Sequence, residues 1–395
     1  MTRTWRRLSF MLTFAFLLAA AAPLFEKVDI FEAAVGGYAH YRVPSIIVSQ
    51  RGTVIAVTEA RKSQRGDWGP QDILMRRSRD GGKTWDGPRS IANVEGEIAP
   101  NPVALAQNLD KPGDTTYNNI VPIVDRKRGN LHFLFCAEYA RCFSMTSRDD
   151  GDTFSKPVDI TPVFEQFRRE YPWKVIATGP GHGIQLRNGR LVVPVWLSDG
   201  TGGHAHRPSI VSVIYSDDGS TWKRGDVVVR HPDLSNPSET IAVELSDGRV
   251  MLNIRSEAEE HRRAISYSRD GATKWSKPVF QPELIEPICM ASIIRHSPRK
   301  LVFVNPDSSE PRDPKRPLHN FKRQNVSARL STDDGKTWSS AKPIEPGPSG
   351  YSDLAMGPDG TIYCIYERGA VSGSDTYIKY LTVLRFNLEW LSAAR

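Results

Sequence analysis

Short apolar stretches alternate with polar, turn-rich breaks along nearly the whole chain. Residues 39–48 collect Tyr41, Val43, Ile46, Ile47 and Val48 into a predicted strand. Residues 53–61 supply the next, rich in Val and Ile and ending on Arg61, and residues 72–78 a third. The third runs into the polar break Ser78-Arg79-Asp80-Gly81-Gly82-Lys83-Thr84-Trp85. The same break returns at residues 331–338 with the same spacing and at residues 147–154 with Phe154 in the Trp place. A copy over residues 215–222 ends on Trp222 and has Tyr215 in the place of the leading Ser, and a degenerate copy ends on Trp275.

Each copy has the make-up of a β-hairpin turn. Asp and Ser bond nearby amides, Gly takes the positive φ, and Thr-Trp restarts a strand. The aromatic ends are separated by 69, 68, 53 and 63 residues, room for about four short strands and long loops per unit. Supersecondary units repeated at such a period predict a propeller-like array, with the five boxes as structural turns away from any active site.

Composition narrows this picture without changing it. The 28 Pro and 30 Gly are spread along 395 residues, and no stretch reads as a linker, so residues 23–395 are expected to form one all-β domain. Arg3, Arg6 and Arg7, an apolar run over residues 8–18 and small residues 19–22 read as an export signal over residues 1–22, too short to span a membrane. The mature protein is then secreted or periplasmic. Removing that segment takes away three Arg and no acids, which lowers the net charge from +7 to +4. No basic stripe is present, which argues against nucleic acid. The four Cys form neither a disulfide framework nor a zinc spacing; Cys136 and Cys142 flank a turn and are the one candidate pair, whereas Cys289 and Cys364 read as buried thiols. His182, His204 and His206 have no matching partner set and read as structural or solvated.

Several motifs carry more specific information. Tyr41-Arg42-Val43-Pro44, a following strand ending Glu59-Ala60-Arg61, the loop residue Asp67 and then the first box resemble the sialidase (neuraminidase) family of glycoside hydrolases. Further matches are Gly179-Pro180-Gly181-His182, the stretch from Asn236 through Glu239 to Arg255, Arg323 ahead of the last box, and Tyr351 followed by Tyr366-Glu367-Arg368. The resemblance spans roughly residues 35–390, with its motifs in order.

That resemblance implies a six-bladed β-propeller whose sixth blade is closed by strands from both ends of the chain. It also implies an exo-α-sialidase acting on sialylated glycoconjugates with retention. Arg42, Arg255 and Arg323 would grip the substrate carboxylate, since forked guanidinium donors match two oxygens in a plane. Arg316 and Arg329 are rivals for the third place. Tyr351 would be the nucleophile, Glu239 its base and Asp67 the acid, with Asp72 a competitor for the last role. Glu367 would orient Arg42, Arg61 would support the site or touch sugar oxygens, and Asn119 stands where relatives often present an Asp near the N-acyl pocket. Neither a metal nor a cofactor is called for. Two other readings remain on the same scaffold: a hydrolase of another nonulosonic acid, such as one lacking the N-acyl group, and a non-catalytic sialic-acid-binding propeller.

Overall fold

Successive side chains of the predicted strands go to opposite faces, and both faces are buried. Ile46, Val48, Val54 and Ala56 pack with Tyr363, Ile365 and Val383, while Ile47, Ile55 and Val57 pack with Phe133 and Phe135. The strands His40–Val48 and Val54–Arg61 are therefore buried along their whole length. Fully burying a side chain such as Ile55 contributes roughly 1.5–3 kcal/mol, and the pattern recurs around the ring.

The computed structural model describes residues 22–64, 66–315, 320–372 and 374–393. The predicted export segment, apart from Ala22, and Arg316 lie outside these described residues. Their strands form five hydrogen-bonded sheets. One of these has seven strands because the long strand Lys342–Met356 serves two blades: residues 342–348 pair with Gln324–Ser331, and residues 349–356 pair with Ile362–Val371. The result is six blades, with six apolar cores wedged between neighbours. The strand Phe25–Glu32 lies antiparallel against Ser374–Phe386 and completes the sixth blade, as expected from sequence. Closure of this kind covers strand edges that would otherwise stay open.

The boxes sit between the third and fourth strands of the first five blades. In the first, Asp80 Oδ1 accepts from the amides of Lys83 at 3.1 Å and Thr84 at 2.9 Å, while the Gly82 amide donates to Ser78 Oγ at 2.7 Å. Asp149, Asp218, Asp270 and Asp333 accept from the Thr amides of their own boxes in the same way. The sixth blade takes its outer strand from the N-terminal segment, so it has no such hairpin to make. That explains five boxes in six blades.

The innermost strands run in one direction down the axis. Ile47, Val124, Ile184, Val243, Ile294 and Ala355, one from each blade, line an axial cavity of about 140 Å³. Asp353 ties the ring together there. Its Oδ2 accepts from the Ile46 amide at 2.9 Å, and its Oδ1 lies 2.8 Å from both Ser292 Oγ and His182 Nδ1. Cys136 and Cys142 stand directly opposite on adjacent strands but as free, buried thiols; Cys289 and Cys364 are free and buried too. The candidate disulfide is thus not formed.

Candidate active site

The opposite mouth of the axis, at the starts of the inner strands, opens into a cleft of about 320 Å³. Three inner strands carry β-bulges at this end: between Arg42 and Ser45, between Asn118 and Val121, and between Ser349 and Ser352. A bulge interrupts the alternation and re-aims a side chain, and Val43 and Asn119 sit at φ of 54° and 53° within two of them. Arg42, Asn119 and Tyr351 are thereby turned to the cleft. Glu239 and Arg255 end adjacent strands and are locked together by the Arg255 amide donating to the Glu239 carbonyl at 3.2 Å.

One wall is a tightly bonded cluster. The Tyr351 hydroxyl donates to Glu239 Oε1 at 2.5 Å, and Arg255 Nη1 donates to Tyr351 Oη at 2.9 Å and also to Glu239 Oε2. The guanidinium groups of Arg42 and Arg323 lie 5.2 Å and 5.1 Å from the centre of the Tyr351 ring. Burial, then Glu239, pushes the Tyr351 phenol well above its ordinary value, against the pull of Arg255 and Arg323. A phenol so placed needs a base to become a nucleophile, and Glu239 is within reach.

Behind this cluster Glu367 is fully buried. Its Oε1 accepts from Arg42 Nε at 2.6 Å and the Val43 amide at 3.1 Å, and its Oε2 from the Tyr351 amide at 3.0 Å. One carboxylate therefore fixes Arg42 and the Tyr351 backbone together. Burial disfavours the charge on Arg42, but Glu367 more than offsets this. Arg323 Nη2 donates to the Ile288 carbonyl at 2.8 Å.

The other wall belongs to Asp67. Arg61 Nη1 pairs with Asp67 Oδ1 at 3.1 Å and also reaches the Gly66 carbonyl, while Arg61 Nη2 pairs with Glu59 Oε2 at 2.6 Å. Partial desolvation in the cleft pushes the Asp67 carboxyl up, but Arg61 first and then Arg42 hold it well below the usual carboxylate range. Glu59 Oε1 also accepts from the Asn119 amide at 2.9 Å. Arg61 is thus occupied with carboxylates.

The nine predicted residues fall into two groups. Arg42, Arg61, Asp67, Asn119, Glu239, Arg255, Arg323 and Tyr351 line the cleft, and Glu367 lies behind it. The rivals stand elsewhere: Asp72 bonds Tyr38 and Lys62, and Arg329 pairs with Asp307. Of the two readings given to His204 and His206, structural or solvated, the solvated one does not hold, because both line the cleft. His206 packs 5.0 Å from the Trp196 ring and 5.1 Å from the Tyr139 ring, and burial lowers its pKa to about 4, so it is a neutral imidazole. Sequence reasoning missed Glu59 as a functional residue; its place two residues before Arg61, on the same face of the strand, was the available signal.

A six-bladed ring with Asp-box hairpins and an axial mouth lined by arginines and a Tyr–Glu pair is a propeller of the BNR-repeat class. Residues 98–364 match the family described as BNR repeat-like domain, and the chain belongs to the sialidase family that carries such repeats. It is similar to a sialidase of Micromonospora viridifaciens, at 30% identity over 93% of this chain and 55% of that protein. A sialidase of Bacteroides fragilis is 28% identical over 88% of this chain and 63% of its own. The chain thus spans little more than half the length of these relatives. Among solved structures, the Hadza microbial sialidase Hz136 superposes with a TM-score of 0.70 at 24% identity, covering 90% of this chain and 67% of that one. The intramolecular trans-sialidase of Ruminococcus gnavus gives 0.70 at 18% identity, covering 93% and 98%. These likenesses show the shared fold.

Proposed function

We propose that the protein is an exo-α-sialidase that removes terminal sialic acids from glycoconjugates with retention, through a tyrosyl intermediate. The observation that carries this reading is the 2.5 Å contact between the Tyr351 hydroxyl and Glu239, set among the guanidiniums of Arg42, Arg255 and Arg323. Glycosidases ordinarily use two carboxylates, and sialidases with a tyrosine nucleophile are an exception. The substrate explains the difference. A sialoside bears a carboxylate on its anomeric carbon, and a second carboxylate about 4 Å away would meet a repulsion of about 4 kcal/mol at an effective dielectric constant of about 20. A neutral phenol avoids that cost.

In the proposed sequence the three arginines hold the carboxylate. Tyr351 Oη attacks the anomeric carbon while its proton passes to Glu239 Oε1. The bond to the aglycone oxygen breaks as Asp67 delivers a proton to that oxygen. In the second half Asp67 takes a proton from water, the water oxygen attacks the anomeric carbon, and Tyr351 leaves and recovers its proton from Glu239. Asp67 needs its proton at the start, so substrate must loosen its pairing with Arg61 and exclude water, both of which raise a carboxyl pKa. The sialidase names of the Micromonospora and Bacteroides relatives support the substrate class.

The test is hydrolysis of an aryl α-sialoside followed by proton NMR. Release of the aglycone with the α anomer formed first is expected; the β anomer first would overturn the tyrosyl intermediate, and no release would overturn the activity. We also propose that residues 1–22 direct export. N-terminal sequencing of the product outside the cytoplasm should begin near residues 20–23, and a product retaining Met1 would contradict this.

A further inference from the structure

Arg263 is among the largest fully buried side chains of the described residues, and the proposed chemistry does not use it. It lies on the strand Arg262–Ser268 with its guanidinium bonded on every side. Nε donates to Asn253 Oδ1 at 2.5 Å and Nη2 to the Asn253 carbonyl at 2.9 Å. Nη1 donates to the Cys289 carbonyl at 3.1 Å and pairs with Glu286 Oε2. Glu286, also buried, uses its other oxygen to accept the Cys289 amide at 2.8 Å.

The two segments it joins are the supports of the cleft. Asn253 lies on the strand Val250–Ile254, Arg255 follows directly after its end, and Arg255 bonds both Tyr351 and Glu239. The 286–289 turn holds Ile288 at a φ of 59°, with its carbonyl accepting from Arg323. A β-branched residue rarely takes that conformation without support, and the bonds at Glu286 and Cys289 clamp the turn on both sides of Ile288. Cys289 and Met290 then pack against Tyr351 and Val43. A buried charge pair of this kind is weak evidence for a role in stability, since well-packed apolar residues often serve as well or better.

Given the reading above, we infer that the buried Arg263–Glu286 pair is a positioning device that sets Arg255 and Arg323 relative to each other for the substrate carboxylate. It touches no substrate. Its loss spreads two guanidiniums that must meet two oxygens in one plane, and a displacement of about 1 Å in such a clamp costs on the order of 10²-fold.

The experiment compares the parent with Glu286→Gln, Arg263→Met and Arg263→Lys. Kinetics are measured on an aryl α-sialoside, melting temperature alongside, and amide hydrogen exchange over residues 286–291. Glu286→Gln keeps the shape of the site and is the variant of record if Arg263→Met fails to fold. The expected result is a KM raised about 10-fold or more with a smaller change in kcat, partial rescue in Arg263→Lys, and faster exchange at 286–291. A fall in melting temperature with KM unchanged would show a merely structural pair and overturn the inference. So would unchanged exchange at 286–291, which reads the clamp even if the parent turns over no sialoside; that last outcome by itself would overturn the proposed function instead.

Discussion

Tyr351 and Asp67 face the same cleft and are held in opposite ways. Tyr351 is 6% exposed, with its hydroxyl already on Glu239 and its backbone on Glu367. The Asp67 side chain is 47% exposed, sits on a loop between Gly66 and Gly69, and is paired with Arg61 in a way that favours its charged form. On the proposed roles, the nucleophile wall is assembled before substrate arrives, because its parts sit on strands or directly at their ends, where register fixes them. On the same proposal, Asp67 is left in the wrong protonation state for its first task and must be completed by substrate. Preorganisation lowers the barrier where charge develops, whereas a group needed first as acid and then as base gains from an adjustable setting.

Breaking the nucleophile wall should have the largest effect. Tyr351→Phe is expected to lower kcat on an aryl sialoside by on the order of 10³-fold or more with the fold intact by circular dichroism. Glu239→Gln removes the base but leaves the phenol, and a loss of about 10²–10³-fold is expected in the same assay. On the acid wall the effect should depend on the leaving group. Asp67→Asn is expected to cost about 10²-fold on an alkyl sialoside and less than about 10-fold on an activated aryl one, measured as kcat/KM.

Two smaller effects sharpen the comparison through pH. Arg61 depresses the Asp67 carboxyl, so Arg61→Met should move the limb of the kcat/KM profile that reports Asp67 to higher pH, with the Tyr351 wall unaffected. Glu138 steadies the base of the acid loop: its Oε1 accepts the Thr116 amide at 2.5 Å, and the Thr116 hydroxyl bonds Gly69. Burial, with Asp110 alongside, pushes the Glu138 carboxyl up to about 8 despite the Thr116 amide. A value raised above the unfolded one near 4.3 gives a stabilising contribution that is full below about pH 4.3 and is lost progressively as pH rises from there to about 8. Glu138→Gln should therefore raise the melting temperature relative to the parent at pH 9 more than at pH 5.

The ring and half of the cleft were legible in the sequence because they rest on local chemistry. An Asp box makes its own turn, so five copies announce five blades wherever they pack, and the apolar strands of residues 39–48 and 53–61 announce burial on both faces. The sixth blade left no box, and was legible only through resemblance. Arg42, Arg255, Arg323 and Tyr351 stood out through the motifs around them. Glu59, Asp353 and the Arg263–Glu286 pair did not, because a buried charge is identified by its partner, and Asp353 meets partners 61 to 307 residues away. The cleft position of His206 was hidden for the same reason: a polar loop in sequence is folded over Trp196 and Tyr139 in space.

The central claim is a covalent bond to Tyr351, and trapping that bond tests it most directly. The protein is incubated with a 2,3-difluorinated sialic acid, whose 3-fluorine slows breakdown of a glycosyl-enzyme, and examined by intact and peptide mass spectrometry. A single sugar adduct on the peptide carrying Tyr351, absent in Tyr351→Phe, is the expected result. An adduct on another residue, or none from protein that turns over an aryl sialoside, would contradict the account.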